Sequence, residues 1–542
     1  MSAKMLHAYA FFVVSLTLWP SCRGGTAVVT ALPDPAEEDR PLGSPPELPR
    51  ISVELPAASP GAPTRVLVAG DDLQRALDDA KPGDVLALQP GAIFKGSFTL
   101  PAKAGNEWIT IETNCPDRVF PPPGTRVRPS DAPLMPVIES DNDFAITTEP
   151  GAHHYRFIGI EVRPKASVFV YNLIQLGIEA KSVDALPHHL VFERCYVRGD
   201  PNVGGRRAIA LNSRHTAVID SYLSDFKESG SDSQALASWN GTGPFAIVNN
   251  YLEAAGENVM FGGGDPTVNN LVPSDIEIRG NQFSKQVSWR GMSWSVKNLF
   301  ELKNARRVLI DNNVFENNWL NAQNGYAILF TPRNQDGRSP WSMVRDVTFT
   351  HNIVRHSASA VNILGTDDIH PSQQTKRILI RDNVFDDIDG EKWGGAGRLF
   401  QILSGAVDIV IEHNTGFPTA EVIMAEGDPN PGFIYRNNLT PHNQYGVAGD
   451  NTTGHPLETL ARYFPSASFV DNVLIGGRAA DYPPNNFFPS TAAEVKFVDL
   501  AGGDYRLAGD SPYKRAGTDG KDIGANLDAV SGRRRAVRAG GL

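Results

Sequence analysis

Cysteine is scarce in this chain of 542 residues, and positive charge does not dominate it. The formal net charge of −11 disfavours a general nucleic-acid binder. Long i, i+3, i+4 patterns of Ala, Leu, Glu and Lys are absent, which argues against helical repeats. The apolar stretch Ala8–Leu18 is too short to span a membrane. Of the 3 cysteines, Cys115 and Cys195 could form a disulfide after export or remain free, and neither belongs to a CxxC motif.

A short phrase recurs along the chain, made of an aliphatic run, an Asn and a second apolar run. It reads AIVNNYLEAA (246–255), IEIRGNQFSKQ (276–286), VLIDNNVFENN (308–318), VTFTHNIVRHS (347–357), ILIRDNVFDDI (378–388), IVIEHNTGFPT (409–419) and FIYRNNLTPH (433–442). The marking residues are Asn250, Asn281, Asn313, Asn352, Asn383, Asn414 and Asn438. Their steps of 24 to 39 residues indicate a stacked array.

Each repeat has the composition of short β-strands. Val, Ile, Phe and Tyr dominate it, and the chain's 50 Gly and 40 Pro punctuate it. Such a unit cannot bury its own apolar face, so the copies must stack and pair strand with strand as a parallel β-solenoid. The recurring Asn is predicted to take a left-handed bend and to hydrogen-bond to the Asn of the next coil.

From about residue 65 to about residue 528, the chain resembles the right-handed parallel β-helix proteins of the pectate-lyase-like superfamily. Residues 65–100 resemble the opening of such proteins, and residues 504–525 resemble their last coil. In the opening, Asp71 or Asp72 can cap a helix whose apolar face would plug the end of the core. That face consists of Leu73, Ala76, Leu77 and Ala80. The resemblance implies an all-β right-handed parallel β-helix with an N-terminal capping helix, but no particular activity.

The segments outside residues 65–528 predict export. Residues 1–27 read as an export signal, with Lys4 before the apolar stretch. Cleavage after Ala27 and lipidation at Cys22, which follows an imperfect lipobox, are both open. Residues 28–64 form a Pro-rich linker, and residues 529–542 form a basic tail. We therefore expect an exported bacterial monomer that is periplasmic, anchored at the outer membrane or secreted, with no transmembrane segment and no nucleic-acid partner.

A second strand follows each marked turn by one or two dozen residues. The series reads IALNSRH (209–215), ALASWNG (235–241), VMFGGGD (259–265), LFELKN (299–304), ILFTPRN (328–334), NILGTDD (362–368), LFQILSG (399–405) and VIMAEGD (422–428). These strands are predicted to form one sheet whose downstream ends carry a column of polar groups, with coils about 4.8 Å apart. The column is the predicted site, and its members are His215, Asp265, Glu301, Lys303, Arg333, Asp367 and Glu426.

Three charged residues of this column suggest elimination chemistry. Glu301 and Lys303 lie two apart on one strand and so point the same way, and Arg333 is on the next coil. The segment 299–315, followed by a later Arg, is similar to β-helix alginate lyases, in which a Lys acts as base and an Arg assists. The resemblance implies a polysaccharide lyase acting on a uronic-acid polymer, with Lys303 as base and Arg333 neutralising the carboxylate. Glu257, Asp265 and Glu301 are possible ligands of a Ca²⁺ ion that would assist this chemistry.

The alternative for Glu301, Lys303 and Arg333 is a surface salt-bridge network between coils.

The tryptophans are equally open to two interpretations. Six of the eight lie between residues 239 and 393, mostly in long loops, and their faces would suit stacking on a sugar or would pin the loops to the solenoid. They are Trp239, Trp289, Trp294, Trp319, Trp341 and Trp393. Together with His215 and Glu426 they are the predicted substrate-binding residues, and the recurring Asn could also contact sugars.

Two other functions stay open. A glycoside hydrolase would use two carboxylates from a set of four candidates, although the Asn-Thr-Asp, Gly-His-Gly and Arg-Ile-Lys motifs of β-helix polygalacturonases are absent. The candidates are Asp265, Glu301, Asp367 and Glu426. A non-enzymatic surface protein would bind glycans through its tryptophans without an acid and a base. The His pairs at 153–154 and 188–189 lack the spacing of a zinc site and are predicted to lie in loops.

Overall fold

Three long parallel β-sheets, here named A, B and C, run along the protein and hold 14, 13 and 12 strands. The chain adds one strand to sheet A, then one to sheet B, then one to sheet C, so each strand pairs with its counterpart one coil away. This winding is the right-handed parallel β-helix predicted from the sequence. The structure is a computed structural model that describes residues 40–56, 61–141 and 143–529. The predicted export signal, Cys22 and most of the predicted basic tail lie outside the described residues.

The strands are short, and each sheet collects every third one. Sheet A contains β1 (Arg65–Leu67), β2 (Val85–Leu88), β5 (Ile109–Thr113), β8 (His153–Ile158), β11 (His188–Glu193), β14 (Arg214–Ile219), β17 (Phe245–Val248), β20 (Ser274–Arg279), β23 (Ala305–Asp311), β26 (Val344–Thr350), β29 (Lys376–Arg381), β32 (Val407–Glu412), β35 (Ile434–Arg436) and β38 (Ser468–Val470). Sheet B contains β3 (Ile93–Lys95), β6 (Val137–Ser140), β9 (Glu161–Pro164), β12 (Tyr196–Arg198), β15 (Tyr222–Phe226), β18 (Tyr251–Ala254), β21 (Gln282–Ser284), β24 (Val314–Asn318), β27 (Ile353–Ser357), β30 (Val384–Ile388), β33 (Thr415–Pro418), β36 (Leu439–Pro441) and β39 (Val473–Ile475).

Sheet C carries the second strand series found in the sequence. It contains β4 (Phe98–Leu100), β7 (Ile146–Thr148), β10 (Asn172–Leu176), β13 (Arg207–Leu211), β16 (Gln234–Ser238), β19 (Glu257–Phe261), β22 (Phe300–Leu302), β25 (Tyr326–Phe330), β28 (Ser359–Leu364), β31 (Phe400–Leu403), β34 (Ile423–Glu426) and β37 (Val447–Gly449). Outside the three sheets, β40 (Phe497–Asp499) and β41 (Asp504–Leu507) pair antiparallel. The helices are α1 (Leu73–Asp79), α2 (Gly390–Trp393), α3 (Pro456–Tyr463) and α4 (Ala492–Val495), with 3-10 turns at Pro129–Leu134, Val183–Ala185, Val287–Trp289 and Ala479–Asp481. Among the described residues, no helix is long and apolar enough to cross a membrane.

The recurring Asn residues form a hydrogen-bonded ladder in the turn between sheets A and B. Asn313 Oδ1 accepts from the backbone N–H and the Nδ2 of Asn281, at 2.9 and 3.0 Å, and Asn313 itself donates to Asn352 in the same way. The ladder extends beyond its predicted members through Asn472 and Asn486. Its structural role is therefore confirmed. The left-handed conformation, however, belongs to the preceding residue, such as Asn312 with a φ of 60°.

Helix α1 begins after Asp72, whose side chain accepts a hydrogen bond of 2.9 Å from the backbone N–H of Arg75. It ends at Asp79, and Ala80 is its C-cap. Its buried face belongs to the same apolar cluster as the inward side chains of the sheets, and it consists of Leu73, Ala76 and Leu77. The helix exists where the sequence predicts it, and its plugging role stays a prediction.

Cys115 and Cys195 are free thiols rather than a disulfide. Cys195 is buried, and burial raises the pKa of its thiol to about 12. Its backbone N–H donates to Ser221 Oγ at 3.0 Å, and the Ser221 N–H donates to Asn250 Oδ1 at 2.8 Å. The turn that carries the Asn ladder therefore continues into the coils that lack Asn.

Residues 41–56, in the Pro-rich segment, lie along the beginning of the sheet A strands. Backbone N–H groups of this segment donate to aspartates of alternate coils: Gly43 to Asp408, Glu47 to Asp346, and Arg50 to Asp275, at 2.7 to 3.0 Å. Asp346 and Asp275 also pair with arginines of neighbouring coils. This part of the predicted linker is thus attached to the solenoid.

Candidate functional site

The outward face of sheet C contains the predicted site, and its side chains are arranged in columns. The inward residues Leu236, Val259 and Phe300 are in register from β16 to β22. One residue later, a column of outward side chains runs through Ala237, Met260, Glu301, Leu329, Asn362, Gln401 and Met424. Two residues before the inward position, another column runs through Arg207, Gln234, Glu257 and Asn298.

Loops leave sheet C at both of its edges. Residues 285–299, 319–325 and 389–399 connect sheet B to sheet C, and residues 262–273, 331–343 and 365–375 connect sheet C to sheet A. Gly262 lets one of these loops leave β19, because its φ is +89° and a Cβ there would lie 2.6 Å from the backbone nitrogen of Asn304. The loops flank the columns and leave a recess between them.

Glu301, Lys303 and Arg333 share one cavity of about 380 Å³ in this recess. It is also lined by Asn324 from the sheet B side and by Asp368 from the sheet A side. The Lys303 ammonium lies 3.0 Å from Glu301 Oε1. The backbone N–H of Arg333 donates to the Lys303 carbonyl at 2.9 Å, which fixes the two residues on neighbouring coils.

The predicted salt-bridge network is present in a different form. The Arg333 guanidinium pairs with Asp367 at 2.7 Å and with Asp368 at 3.0 Å. Lys303 pairs with Glu301, and Glu301 also accepts a 2.9 Å hydrogen bond from Asn298 Nδ2. The side chains of Lys303 and Arg333 remain 16% and 20% exposed, so a ligand in the cavity can reach both.

A second charged group lies next to this cavity and centres on Glu257, which is fully buried. Burial raises the pKa of its carboxyl, and the negative charges of Asp232 and Glu301 act in the same direction. The Lys297 ammonium lies 3.5 Å from Glu257 and 2.5 Å from Asp232. Burial acts to lower the pKa of Lys297, but these carboxylates raise it.

Several buried oxygens beside Glu257 lack a hydrogen-bond partner within the described residues. They are Gln234 Oε1, Glu257 Oε1 and Asn298 Oδ1, with Asn362 Oδ1 farther along the same face. Glu257 Oε1 still lies 3.5 Å from the Lys297 ammonium. Buried acceptors are normally paired, and a water molecule, a cation or a hydroxyl-bearing ligand could each supply a partner here. Oxygen donors of this kind suit Ca²⁺.

Two predicted site residues anchor loops instead of lining the cavity. Asp265 accepts hydrogen bonds from Ser339 Oγ and from the backbone N–H groups of Asp336 and Arg338, at 2.7 to 3.0 Å. Burial acts to raise the pKa of Asp265, but these hydrogen bonds lower it. Asp367 has a fully buried side chain that accepts from Arg333, from the Asn334 backbone and from the Ile369 backbone. Neither carboxylate is among the residues that line the cavity.

His215 is not in the sheet C column, so that part of the sequence prediction is corrected. Its strand β13 ends at Leu211, and His215 lies near the beginning of β14 in sheet A, stacked on His189 at 4.5 Å. The sequence pattern missed this because a two-residue turn separates the two strands. Glu426 does end a sheet C strand, in register with Leu403.

The tryptophans differ in their burial. Trp289, Trp319 and Trp393 are 3 to 6% exposed and pack together with Trp294 in a cluster of loop residues, which corresponds to loop anchoring. Trp341 donates its Nε1–H to the Leu271 carbonyl at 3.1 Å and is also a loop contact. Trp239 is half-buried on the sheet C face, with the Arg207 guanidinium 5.0 Å above its ring. Trp239 thus follows strand β16 of sheet C, but it does not line the cavity of Glu301, Lys303 and Arg333.

Sequence reasoning missed Lys297, Asn298, Gln234 and Arg207. The signal was present in the same strand alignment, because three of them occupy the position two residues before the inward residue. The predicted site residues lie at the downstream ends of the strands, whereas this column lies at their upstream ends.

Comparison with known proteins gives similarities to solved structures alone. No protein-family model matches the chain, and no curated protein matches it. The PL6-family alginate lyase AlyGC matches with 14% identity over 85% of this chain and 57% of its own, with a TM-score of 0.49. An α-1,3-glucanase from Streptomyces thermodiastaticus matches with 14% identity over 81% and 72%, with a TM-score of 0.40. A polygalacturonase from Erwinia carotovora matches with 10% identity over 70% and 94%, with a TM-score of 0.38. The chain spans 57% of the length of the alginate lyase.

Proposed function

We propose that this chain is an exported carbohydrate-active enzyme that cleaves a uronic-acid polysaccharide by β-elimination in the recess over sheet C. The observation that carries the proposal is the shared cavity of Lys303 and Arg333 on neighbouring coils. A solenoid face of this kind can bind a chain of sugars along its axis, because successive coils repeat about every 4.8 Å. Trp239 beside the recess offers an apolar ring to a sugar face.

Each group has a defined part in the elimination. The Arg333 guanidinium pairs with the uronate carboxylate and makes the hydrogen on the adjacent carbon more acidic. The Lys303 amine, once neutral, takes that proton through its Nζ. The electron pair of the broken C–H bond forms a carbon–carbon double bond, and the glycosidic oxygen leaves and takes a proton from the Lys303 ammonium or from water. The products are an unsaturated uronate end and a new reducing end.

Glu301 orients the Lys303 amine through their 3.0 Å contact. Glu257 and Asn298 have buried oxygens that would suit Ca²⁺. Both Glu301 oxygens already contact Lys303 or Asn298, and Asp265 is tied to its loop and does not fit. Bound Ca²⁺ would add positive charge for the uronate carboxylate.

The experiment is ultraviolet absorbance of the unsaturated product with a panel of uronic-acid polysaccharides, with and without calcium. We expect the absorbance to rise with the wild type. In Lys303→Ala the rate of this rise should be about 10²–10⁴-fold lower, the size typical of losing a general base. Arg333→Ala should fall similarly, and Lys181→Ala, an exposed lysine elsewhere, should match the wild type.

Other outcomes have clear meanings. New reducing ends without absorbance would refute elimination and favour hydrolysis by carboxylates, with Glu301 as the candidate that lines the cavity. Binding of the polymer without either product would favour a glycan-binding protein. Activity retained in Lys303→Ala would remove Lys303 from the mechanism.

A further inference from the structure

Two histidine pairs begin neighbouring strands of sheet A, away from the recess over sheet C. His153 and His154 begin β8, and His188 and His189 begin β11, in register as His153 with His188. The sequence predicts loop positions for these four residues, and that prediction is wrong, because they lie on strands. The rings stack from coil to coil, with centroids 4.7 Å apart for His153 and His188 and 4.4 Å apart for His154 and His189.

The imidazole nitrogens converge within and between the two pairs. Nδ1 of His153 lies 2.7 Å from Nδ1 of His154, and Nδ1 of His188 lies 2.6 Å from Nδ1 of His189. One nitrogen from each of His153, His154 and His188 lies within 4.8 Å of the others. Among the residues that the structure describes, this group brings together three potential metal ligands.

A cation binds an imidazole through the lone pair of an unprotonated ring nitrogen, and either nitrogen of each ring can be the unprotonated one.

We propose that His153, His154 and His188 bind one divalent transition-metal cation, such as Zn²⁺, Ni²⁺ or Cu²⁺, across the two coils. Imidazole nitrogens select these metals, whereas Ca²⁺ and Mg²⁺ require oxygen ligands, and the three ligands include no carboxylate. Zn–N distances are about 2.0–2.1 Å, so the cation replaces the hydrogen bond inside the His153–His154 pair and moves the two nitrogens slightly apart. Three protein ligands leave a fourth position for water.

The surroundings place the cation on the β8 side of the cluster. The Arg214 guanidinium occupies the position after His188 in the next coil and repels a cation from that side. Glu54, in the segment along sheet A, lies 3.7 Å from His189 Nε2 and adds negative charge near the rings. Trp108 contacts His154 edge-on at 5.1 Å and limits rotation of that ring. Charged groups and an aromatic ring thus surround the cluster.

The test uses the full chain without a polyhistidine tag, freed of metal with a chelator. Zn²⁺ is titrated by calorimetry, and Co²⁺ is used as a visible-absorption probe for nitrogen ligation. We expect one cation per chain and a thermal-unfolding midpoint that rises with Zn²⁺ concentration. His153→Gln and His188→Gln should each weaken binding at least tenfold, while His455→Gln, an exposed histidine elsewhere, should bind as the wild type.

Unfolding midpoints in chelator confirm that each variant is folded before its affinity is compared. Absence of Zn²⁺ binding in the wild type would overturn the proposal. The proposal would also be overturned if His153→Gln and His188→Gln bound Zn²⁺ as tightly as the wild type. It would be overturned as well if His455→Gln lost as much affinity as they do, because binding would then come from scattered surface histidines. Because the site is on sheet A, its failure would leave the lyase proposal unaffected.

Discussion

Replacing Asn313 with Ala should destabilise the β-helix by an amount that the ladder geometry sets. Asn313 Oδ1 accepts from the N–H and Nδ2 of Asn281, and its own Nδ2 donates to the Ile278 carbonyl at 2.9 Å. Asn313→Ala therefore takes this partner from one buried donor, the Asn281 N–H, and from two acceptors, the carbonyls of Ile278 and Asp311. Asn281 Nδ2 keeps its bond to the Ile247 carbonyl, and Asn352 Oδ1 keeps its bond from the residue 313 N–H. Asn313 is fully buried, so bulk water does not reach these groups in the folded state.

Each buried polar group left unpaired costs about 1–3 kcal/mol, which gives about 3–9 kcal/mol for three groups. A water molecule can enter the space of the lost amide, so we expect the lower half of this range. Unfolding entropy of about 2.1 cal/mol/K per residue, over roughly 465 residues, is about 1 kcal/mol/K. The unfolding midpoint should therefore fall by about 3–6 °C.

The assay is differential scanning calorimetry at neutral pH. Asn486→Ala, at the half-buried end of the ladder, should cost less because water can replace its amide. Asn269→Ala, at an exposed loop position, should stay within about 0.5 kcal/mol of the wild type. If Asn313→Ala and Asn269→Ala unfold at the same temperature, the ladder does not contribute as argued.

Three further changes test other parts of the fold by thermal unfolding. Lys285 is fully buried and donates to three backbone carbonyls and one side-chain oxygen, so Lys285→Met should lower the midpoint by several degrees, and an unchanged midpoint would contradict this. Asp346→Ala removes the buried carboxylate that pairs with Arg377 and should lower the free energy of unfolding by about 3–5 kcal/mol. The exposed control Asp336→Ala should lower it little. Burial lowers the pKa of His188 from 6.5 to about 3, so as the pH falls the unfolded chain binds this proton before the folded one does. The free energy of unfolding should therefore fall between about pH 6.5 and pH 3. In chelator, His188→Gln should make this dependence on pH less steep.

The period and the ladder could be predicted from the sequence because the same residue type recurs at one structural position. Stacking requires such recurrence, and the Asn series reports it directly. Ion-pair partners could not be predicted, since Arg333 could reach Glu301 or Asp367 and the choice depends on loop geometry. His215 was misplaced for a similar reason, because a turn as short as Asn212–Ser213 leaves no trace in an apolar pattern.

The Asn ladder and the sheet C column differ in how far their polar groups are hydrogen-bonded. The Asn ladder repeats one side chain, and each inner amide satisfies its neighbour. The sheet C column changes residue type at every coil, and its members Gln234, Glu257 and Asn298 retain buried oxygens without a hydrogen-bond partner in the described structure. Leaving such acceptors unpaired costs stability. In the proposed function, the bound polysaccharide or a cation would supply their missing partners beside Lys303 and Arg333.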